Sequence, residues 1–445
     1  MANSISRRNF LAAAPLAAAA SPLAAGAPEA DVAKPAILGG EKTHNGPFPE
    51  WPKYDQTEEK ALLDVLHTGK WYRGSGQTVA KFEQAYSQLT GAKYCLATAN
   101  GTSALLTTVN ALGVEPGDEV IVPPYTFIAT INGVLRQHAL PVFVDTDLET
   151  FQMDARKVEA AVSPLTRAMI PVHLGGSSCD LDTMLGIAAK HNFPLIEDAC
   201  QAHLGEWKGR KVGTYGQAGC FSFQASKNLN SGEGGAIVCN DEDLRERCYA
   251  FHNNGSGLKF IGTSFSYTSS GANLRMTEFQ GALLLAQMTR IENQANTRTE
   301  NARYLTSMLK DIPGIAPAKM YDGCTRNAYH LYMFRYDKTK FNNAPRSVFL
   351  KALAAEGIPA ASGYTPLNKQ PFLKNAIASR GFQKLFPKKV LAEWEERTQC
   401  PVNDRLCEEA VWFSQNVLLS PRATMDQIAD AVRKIQANSA SLPRA

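Results

Sequence analysis

Residues 94–144 read YCLATANGTSALLTTVNALGVEPGDEVIVPPYTFIATINGVLRQHALPVFV. Tyr94–Thr98, Glu119–Val122 and Pro141–Val144 are short apolar runs without alternation, the pattern of strands covered on both faces. Between them lie segments of helical period, from about Ser103 to Leu112 and from about Thr126 to Gln137. The rhythm continues outward, with a helix over 154–162, a strand at Ala168–Val172, a helix at Leu181–His191 and a strand at Pro194–Ile196. Strands alternating with helices over such a length predict an α/β domain with a mostly parallel sheet.

Further along, two β-rich runs, Gly219–Phe223 and Gly235–Val238, precede a long helical stretch from Thr277 to about Leu309. From about Ile312 the pattern is mixed, with a strand at Leu331–Tyr336, a helix at Arg346–Glu356 and a terminal helix over 425–437. Upstream, a helix opens at Thr57 and closes at Gly69, and the Pro- and Gly-rich residues before it read as an extended arm. The expected division is an arm at 27–56, a large α/β domain at 57–310 and a smaller C-terminal α+β domain at 311–445.

The chain has 445 residues, 44% of them hydrophobic, and a formal charge of +4. That composition is globular, and without a run of five or more Lys/Arg it argues against a nucleic-acid binder. Nine Cys are too sparse for a disulfide scaffold, and an odd number leaves at least one thiol unpaired within the chain. Residues 1–26 carry Arg7-Arg8 before Phe10-Leu11 and an Ala-rich run, with small residues suited to cleavage at Ala25-Gly26-Ala27. This reads as a signal peptide of the twin-arginine type, predicting a periplasmic or exported protein, or a cytoplasmic one if the segment is only an Ala-rich tail. Its removal takes away Arg7 and Arg8 and no acidic residue, lowering the charge from +4 to +2. If the chain is exported, Cys400 and Cys407 are candidates for a disulfide.

In an open α/β sheet, ligands sit beyond the carboxyl ends of the strands. After Tyr94–Thr98 comes Asn100-Gly101-Thr102-Ser103, where a Gly lets the backbone approach a ligand and a helix N-terminus offers an anion site. A plain capped turn reads equally well. After Pro194–Ile196 comes Glu197-Asp198-Ala199-Cys200-Gln201-Ala202-His203; an Asp at a buried strand end needs a partner, such as a cationic ring nitrogen, or caps the next turn. After Gly219–Phe223 come Lys227 and the Gly-rich turn Gly232-Glu233-Gly234-Gly235. A desolvated Lys loses pKa and can form a Schiff base. Taken together, a phosphate cradle, a buried Asp and such a Lys are the parts that hold pyridoxal 5′-phosphate. His173 at a strand end either faces the ligand or is a satisfied core histidine, and Cys200 reads as packing.

At these residues the chain resembles the DegT/DnrJ/EryC1/StrS sugar aminotransferases, pyridoxal-phosphate enzymes of fold type I. The matching stretches are Asn100-Gly-Thr-Ser-Ala-Leu, Val122-Pro-Pro-Tyr-Thr-Phe-Ile-Ala-Thr, Pro171-Val-His-Leu, Ile196-Glu-Asp-Ala-Cys-Gln-Ala-His, Phe221-Ser-Phe-Gln-Ala-Ser-Lys-Asn-Leu, Gly232-Glu-Gly-Gly-Ala and Gly271-Ala-Asn-Leu-Arg-Met-Thr-Glu-Phe-Gln. The resemblance runs from about residue 35 to 437, in order and at family spacing. It implies Lys227 as the Schiff-base lysine, Asp198 at the pyridine nitrogen and Gln201 near the ring hydroxyl. Gly101, Thr102 and Ser222 would hold the phosphate, and Phe127 would stack on the ring, with Tyr125 as second choice. Asn273 would reach the cofactor phosphate of a partner subunit, so the active unit would be a homodimer. Some relatives carry His at the lysine position and dehydrate instead; Lys227 argues against that branch.

The implied reaction is ping-pong transfer of an amino group from Glu or Gln to a keto-sugar or keto-cyclitol, with no metal. Tyr364-Thr-Pro-Leu, Cys400-Pro-Val and Glu408-Glu-Ala-Val-Trp412 resemble the cyclitol aminotransferase and aminohydroxybenzoate synthase side of the family, although packing and turn roles also explain them. The alternatives are a dehydrating or aromatising enzyme on the same fold and a non-catalytic exported binding protein.

Overall fold

A computed structural model describes residues 33–258 and 267–442. The expected signal peptide lies outside the described residues. The large sheet uses β1 (Tyr94–Thr98), β2 (Glu119–Val122), β3 (Leu140–Phe143), β4 (Thr166–Met169), β5 (Ile196–Asp198), β6 (Ala218–Ser222) and β7 (Gly235–Cys239). Two strand groups, ordered β1-β7-β6-β5 and β3-β2-β4, join through the parallel bridges Met169–Leu195 and Val172–Asp198. Only β7 runs against its neighbours, β1 and β6; the other pairings are parallel. The mostly parallel sheet expected from the alternation is therefore present.

Helices cover both faces. Val120 and Val122 turn to a core shared with Leu105, Val109 and Ile131, while Ile121 turns to one with Met184 and Leu195. This two-sided burial explains the unbroken apolar runs. The helix expected from Thr126 begins only at Ala129, because Pro123-Pro124 starts a loop after β2, and that loop carries Phe127. The stretch expected as one helix from Thr277 is two, Glu278–Met288 and Ile291–Leu309. The break is at Arg290, whose guanidinium is turned to Lys53 O, Asp55 and Glu58.

A second antiparallel sheet is built from β8 (Ile315–Pro317), β9 (Leu331–Tyr336), β10 (Ala361–Ser362) and β11 (Ala410–Ser414), in the order β8-β9-β11-β10. It packs on the Arg346–Ala355 and Arg422–Ala437 helices around Phe334, Phe349 and Ile428. Residues between these strands behave differently. Leu373, Ile377, Phe382, Phe386 and Trp394 join the core of the large sheet, where Trp394 donates to Pro141 O at 2.7 Å and Arg397 binds the buried Glu119 at 2.9 Å.

The arm lies across the second sheet's domain. Ala36 N and Thr43 donate to the buried Glu356 carboxylate, which Lys434 also meets at 2.8 Å. All nine cysteines are free thiols. Cys400 and Cys407 do not bridge: one precedes the helix Pro401–Glu409 and the other lies within it, and seven residues of helix rise about 10 Å, beyond disulfide reach. No helix among the described residues is long and apolar enough to cross a membrane.

Candidate active site

A cavity of about 650 Å³ opens at the carboxyl ends of β1, β5 and β6. Gly101, Thr102, Phe127, Asp198, Cys200, Gln201, Ser222 and Lys227 all line it. Seven of these are the expected site residues; Asn273 is the one left out.

At the end of β1, Asn100 caps the helix Gly101–Ala111, its Oδ1 accepting from Ser103 N at 2.8 Å and Ser103 Oγ at 2.9 Å. The Ser103 hydroxyl is thereby engaged away from the cavity, while Gly101 and Thr102 face it. A Cβ at Gly101 would lie 2.7 Å from Ser222 Cβ and 3.1 Å from Cys200 Sγ, so helix and strand approach closely enough to exclude any larger residue.

Asp198 ends β5 and is 4% exposed. Its Oδ2 accepts from the Thr130 hydroxyl at 2.8 Å and its Oδ1 from Cys200 N at 3.2 Å. The preceding Glu197 points to the opposite face of the strand. It is fully buried and accepts from His173 Nε2 at 2.9 Å and from the N–H groups of Gly213, Tyr215 and Gly216 at 2.6, 2.6 and 2.8 Å. Burial would raise the Glu197 carboxyl, but the His173 bond and these N–H groups outweigh it and hold the pKa below the ordinary value. His173 is thus a satisfied core histidine; its Nδ1 accepts from Cys179 N at 3.2 Å. Its own N–H donates to Asp198 O at 3.0 Å, fixing the strand end from beside it.

Gln201 is held at both ends of its amide: Oε1 accepts from Gly175 N at 2.8 Å and Nε2 donates to the Tyr364 hydroxyl at 3.1 Å. Ser222 ends β6, and its carbonyl accepts from His203 Nε2 at 2.8 Å, with Tyr86 donating to His203 Nδ1 at 3.0 Å. Burial pushes the His203 pKa down to about 3, so the imidazole is a neutral strut.

Lys227 stands in the loop after β6. Its N–H donates to Gln224 O at 2.8 Å, and its carbonyl accepts from Trp51 Nε1 at 3.2 Å, so the arm reaches the site. Burial lowers the Lys227 pKa, against a smaller upward pull from Cys200 and Asp198. Phe127 is exposed on the cavity wall. Tyr125, the second choice for the ring face, is instead buried, its ring 6.1 Å from Phe151 and 5.4 Å from Tyr364. Cys200 lines the cavity and is not merely packing. Asn273 is exposed and lies outside the cavity of its own chain. Thr130, His330, Tyr364 and Trp412 also line the cavity but were given no role from sequence. Thr130 sits in the matching stretch after β2, two residues beyond Ile128, and could have been flagged there.

The residues present fit pyridoxal phosphate: a helix N-terminus with a glycine cradle, a buried carboxylate with its open side toward the cavity, and an amine of lowered pKa face one space. This fold and site define a fold type I pyridoxal-phosphate aminotransferase. The chain belongs to the DegT/DnrJ/EryC1/StrS aminotransferase family, whose pattern it matches over residues 52–433. It is 35% identical over 428 residues to L-glutamine:scyllo-inosose aminotransferase of Streptomyces griseus, covering 92% of this chain and 99% of that one. It is 33% identical over 391 residues to 3-amino-5-hydroxybenzoate synthase of Amycolatopsis mediterranei, covering 87% and 98%. The crystal structure of a 3-amino-5-hydroxybenzoic acid synthase superposes with a TM-score of 0.79 at 31% identity, covering 89% of this chain and 100% of that one.

Proposed function

We propose that the chain transfers the amino group of L-glutamine to the ketone of a polyhydroxylated carbocycle. The observation that carries this reading is the charge of the cavity wall. Among the described residues, Lys227 is its one Lys or Arg, facing two carboxylates, Asp198 and Glu233. That lysine would be committed to the cofactor aldehyde, so this chain's share of the wall offers no further Lys or Arg to the diphosphate of a nucleotide-linked sugar. The relatives named for scyllo-inosose and L-glutamine support the same choice.

When bound, the cofactor supplies an electron sink for the carbon that carries the amine. The Asp198 carboxylate, fixed by Thr130 and the Cys200 N–H, would hold a proton on the ring nitrogen. Gly101, Thr102 and Ser222 would hold the phosphate, Gln201 would lie at the ring hydroxyl and Phe127 would cover a ring face; all line the one cavity. The Lys227 amine, kept by burial below its ordinary pKa, would hold the aldehyde and then carry a proton to and from the substrate carbon. The test is a panel of amino donors and ketones read by cofactor absorbance. Amination of scyllo-inosose-type ketones with L-glutamine is expected. Turnover confined to nucleotide-linked keto-sugars, or release of an aromatic amine, would overturn the reading.

The same reading makes the active unit a homodimer. Leu66, Trp71 and Tyr72 are exposed beside the segment that carries Asn273, with Trp71 5.8 Å from Phe279 and Tyr72 paired with Thr277. An apolar surface of this kind suits a second copy, which would bring its Asn273 to the neighbouring phosphate. The Arg7-Arg8 leader supports export of the folded protein, and replacing both arginines with Lys is expected to keep it in the cytoplasm. Unchanged fractionation of that variant would remove the export reading.

A further inference from the structure

The cavity has two halves of different origin. The large sheet and its loops supply the residues assigned above to the cofactor, whereas the second sheet supplies His330, Leu331, Tyr364 and Trp412. Nothing in this second group carries a fixed charge. Burial, reinforced by the Lys227 charge, keeps the His330 pKa well below its ordinary value, so that ring is neutral as well.

The two aromatic residues are rigidly mounted. Trp412 lies on β11, in register with Met333 on one side and Ala361 on the other. Tyr364 follows β10; its ring is 5.1 Å from Trp412 at 66° and 5.4 Å from the buried Tyr125 at 78°. Its hydroxyl accepts from Gln201 at 3.1 Å, tying this wall to the cofactor half. A row of three rings from the core to the cavity is pre-organised and loses little freedom when a ligand arrives.

A polyhydroxylated six-membered carbocycle carries most of its hydroxyls around its edge and presents C–H bonds on its two faces. An aromatic ring matches such a face, while the hydroxyls are left to polar neighbours. An amino-acid donor offers no comparable face. Resting on the keto-cyclitol reading above, we infer that Trp412 and Tyr364 form the wall against which the acceptor's ring lies, and that they determine specificity for the acceptor half of the cycle.

Because the cycle is ping-pong, each half can be followed alone by cofactor absorbance. The holoenzyme is reacted with L-glutamine in one experiment; in the other, its amino form is reacted with scyllo-inosose. Trp412→Ala is expected to raise the half-saturating scyllo-inosose concentration about 10- to 100-fold more than that for L-glutamine. Trp412→Phe should recover most of the loss, and Tyr364→Ala, which also releases Gln201, should still raise the scyllo-inosose value more than that for L-glutamine. An equal loss in both halves, as a collapsed site would give, overturns the inference, as does no loss in either. If the wild-type amino form reacts with no keto-cyclitol, the substrate reading itself falls and takes this wall with it. If the wild type reacts and Trp412→Ala reacts equally well, the substrate reading stands and only the wall is refuted.

Discussion

Glu197→Gln tests how the strand end carrying Asp198 is fixed. The carboxylate accepts from Tyr215 and Gly216 N–H on one oxygen and from His173 and Gly213 on the other. An amide offers one acceptor oxygen and one donor group. Whichever way it turns, two N–H donors then face an NH2 in a fully buried site. At about 1–3 kcal/mol for each stranded donor, the loss is about 2–6 kcal/mol. Urea unfolding of the apo-protein at neutral pH should show a correspondingly lower midpoint. The effect also has a pH signature. The folded pKa of Glu197 lies below its unfolded value, so its stabilisation is complete above the ordinary carboxylate range and is lost as pH falls through the folded value. The variant should therefore lose less stability on acidification than the wild type. A loss under about 1 kcal/mol at pH 7, or an unchanged acid response, would refute this account.

Three further outcomes are expected. Lys227→Ala should abolish turnover and covalent attachment while the cofactor remains exchangeably bound, read by dialysis and absorbance; near-normal transamination would remove the assignment. Asp198→Asn keeps the shape and drops the charge, so kcat should fall at least ~10²-fold, and a loss under about tenfold would make the Asp structural. Asn273→Ala should weaken cofactor binding about tenfold to a hundredfold. A heterodimer of the Asn273→Ala and Lys227→Ala chains should hold one intact site, because both defects fall on the same site when Asn273 acts across the interface. Finding no normal site in such heterodimers would exclude a shared site.

Much of the large sheet was legible because its strands are buried on both faces, and β1, β2, β5 and β6 run into segments that line the cavity. Lys227, Asp198 and Gly101 stood out only together: each alone reads as well as an exposed charge or a capped turn, but at neighbouring strand ends the three share one chemistry. The resemblance ranked Phe127 before Tyr125, but the residues themselves do not, since which of two nearby rings points inward depends on where the loop after β2 ends and the Ala129 helix begins. The division of the long helix was hidden for a similar reason, as Arg290 breaks it through contacts with Lys53, Asp55 and Glu58, more than 230 residues away. Tyr364 and Trp412 were visible as motif residues but not as cavity residues. Their placement depends on the pairing of β11 with β9 and β10, which no local pattern encodes.

The split parentage of the cavity has a consequence for how such a chain can change. Substitutions on β11 alter what the acceptor meets, while the Asn100 cap, the Thr130–Asp198 pair and the Trp51–Lys227 link remain as they are. Acceptor preference and cofactor retention are then separable traits. A gene can drift toward a new ketone through one sheet without passing through a form that has lost its cofactor, and a library confined to that sheet explores acceptors at constant chemistry.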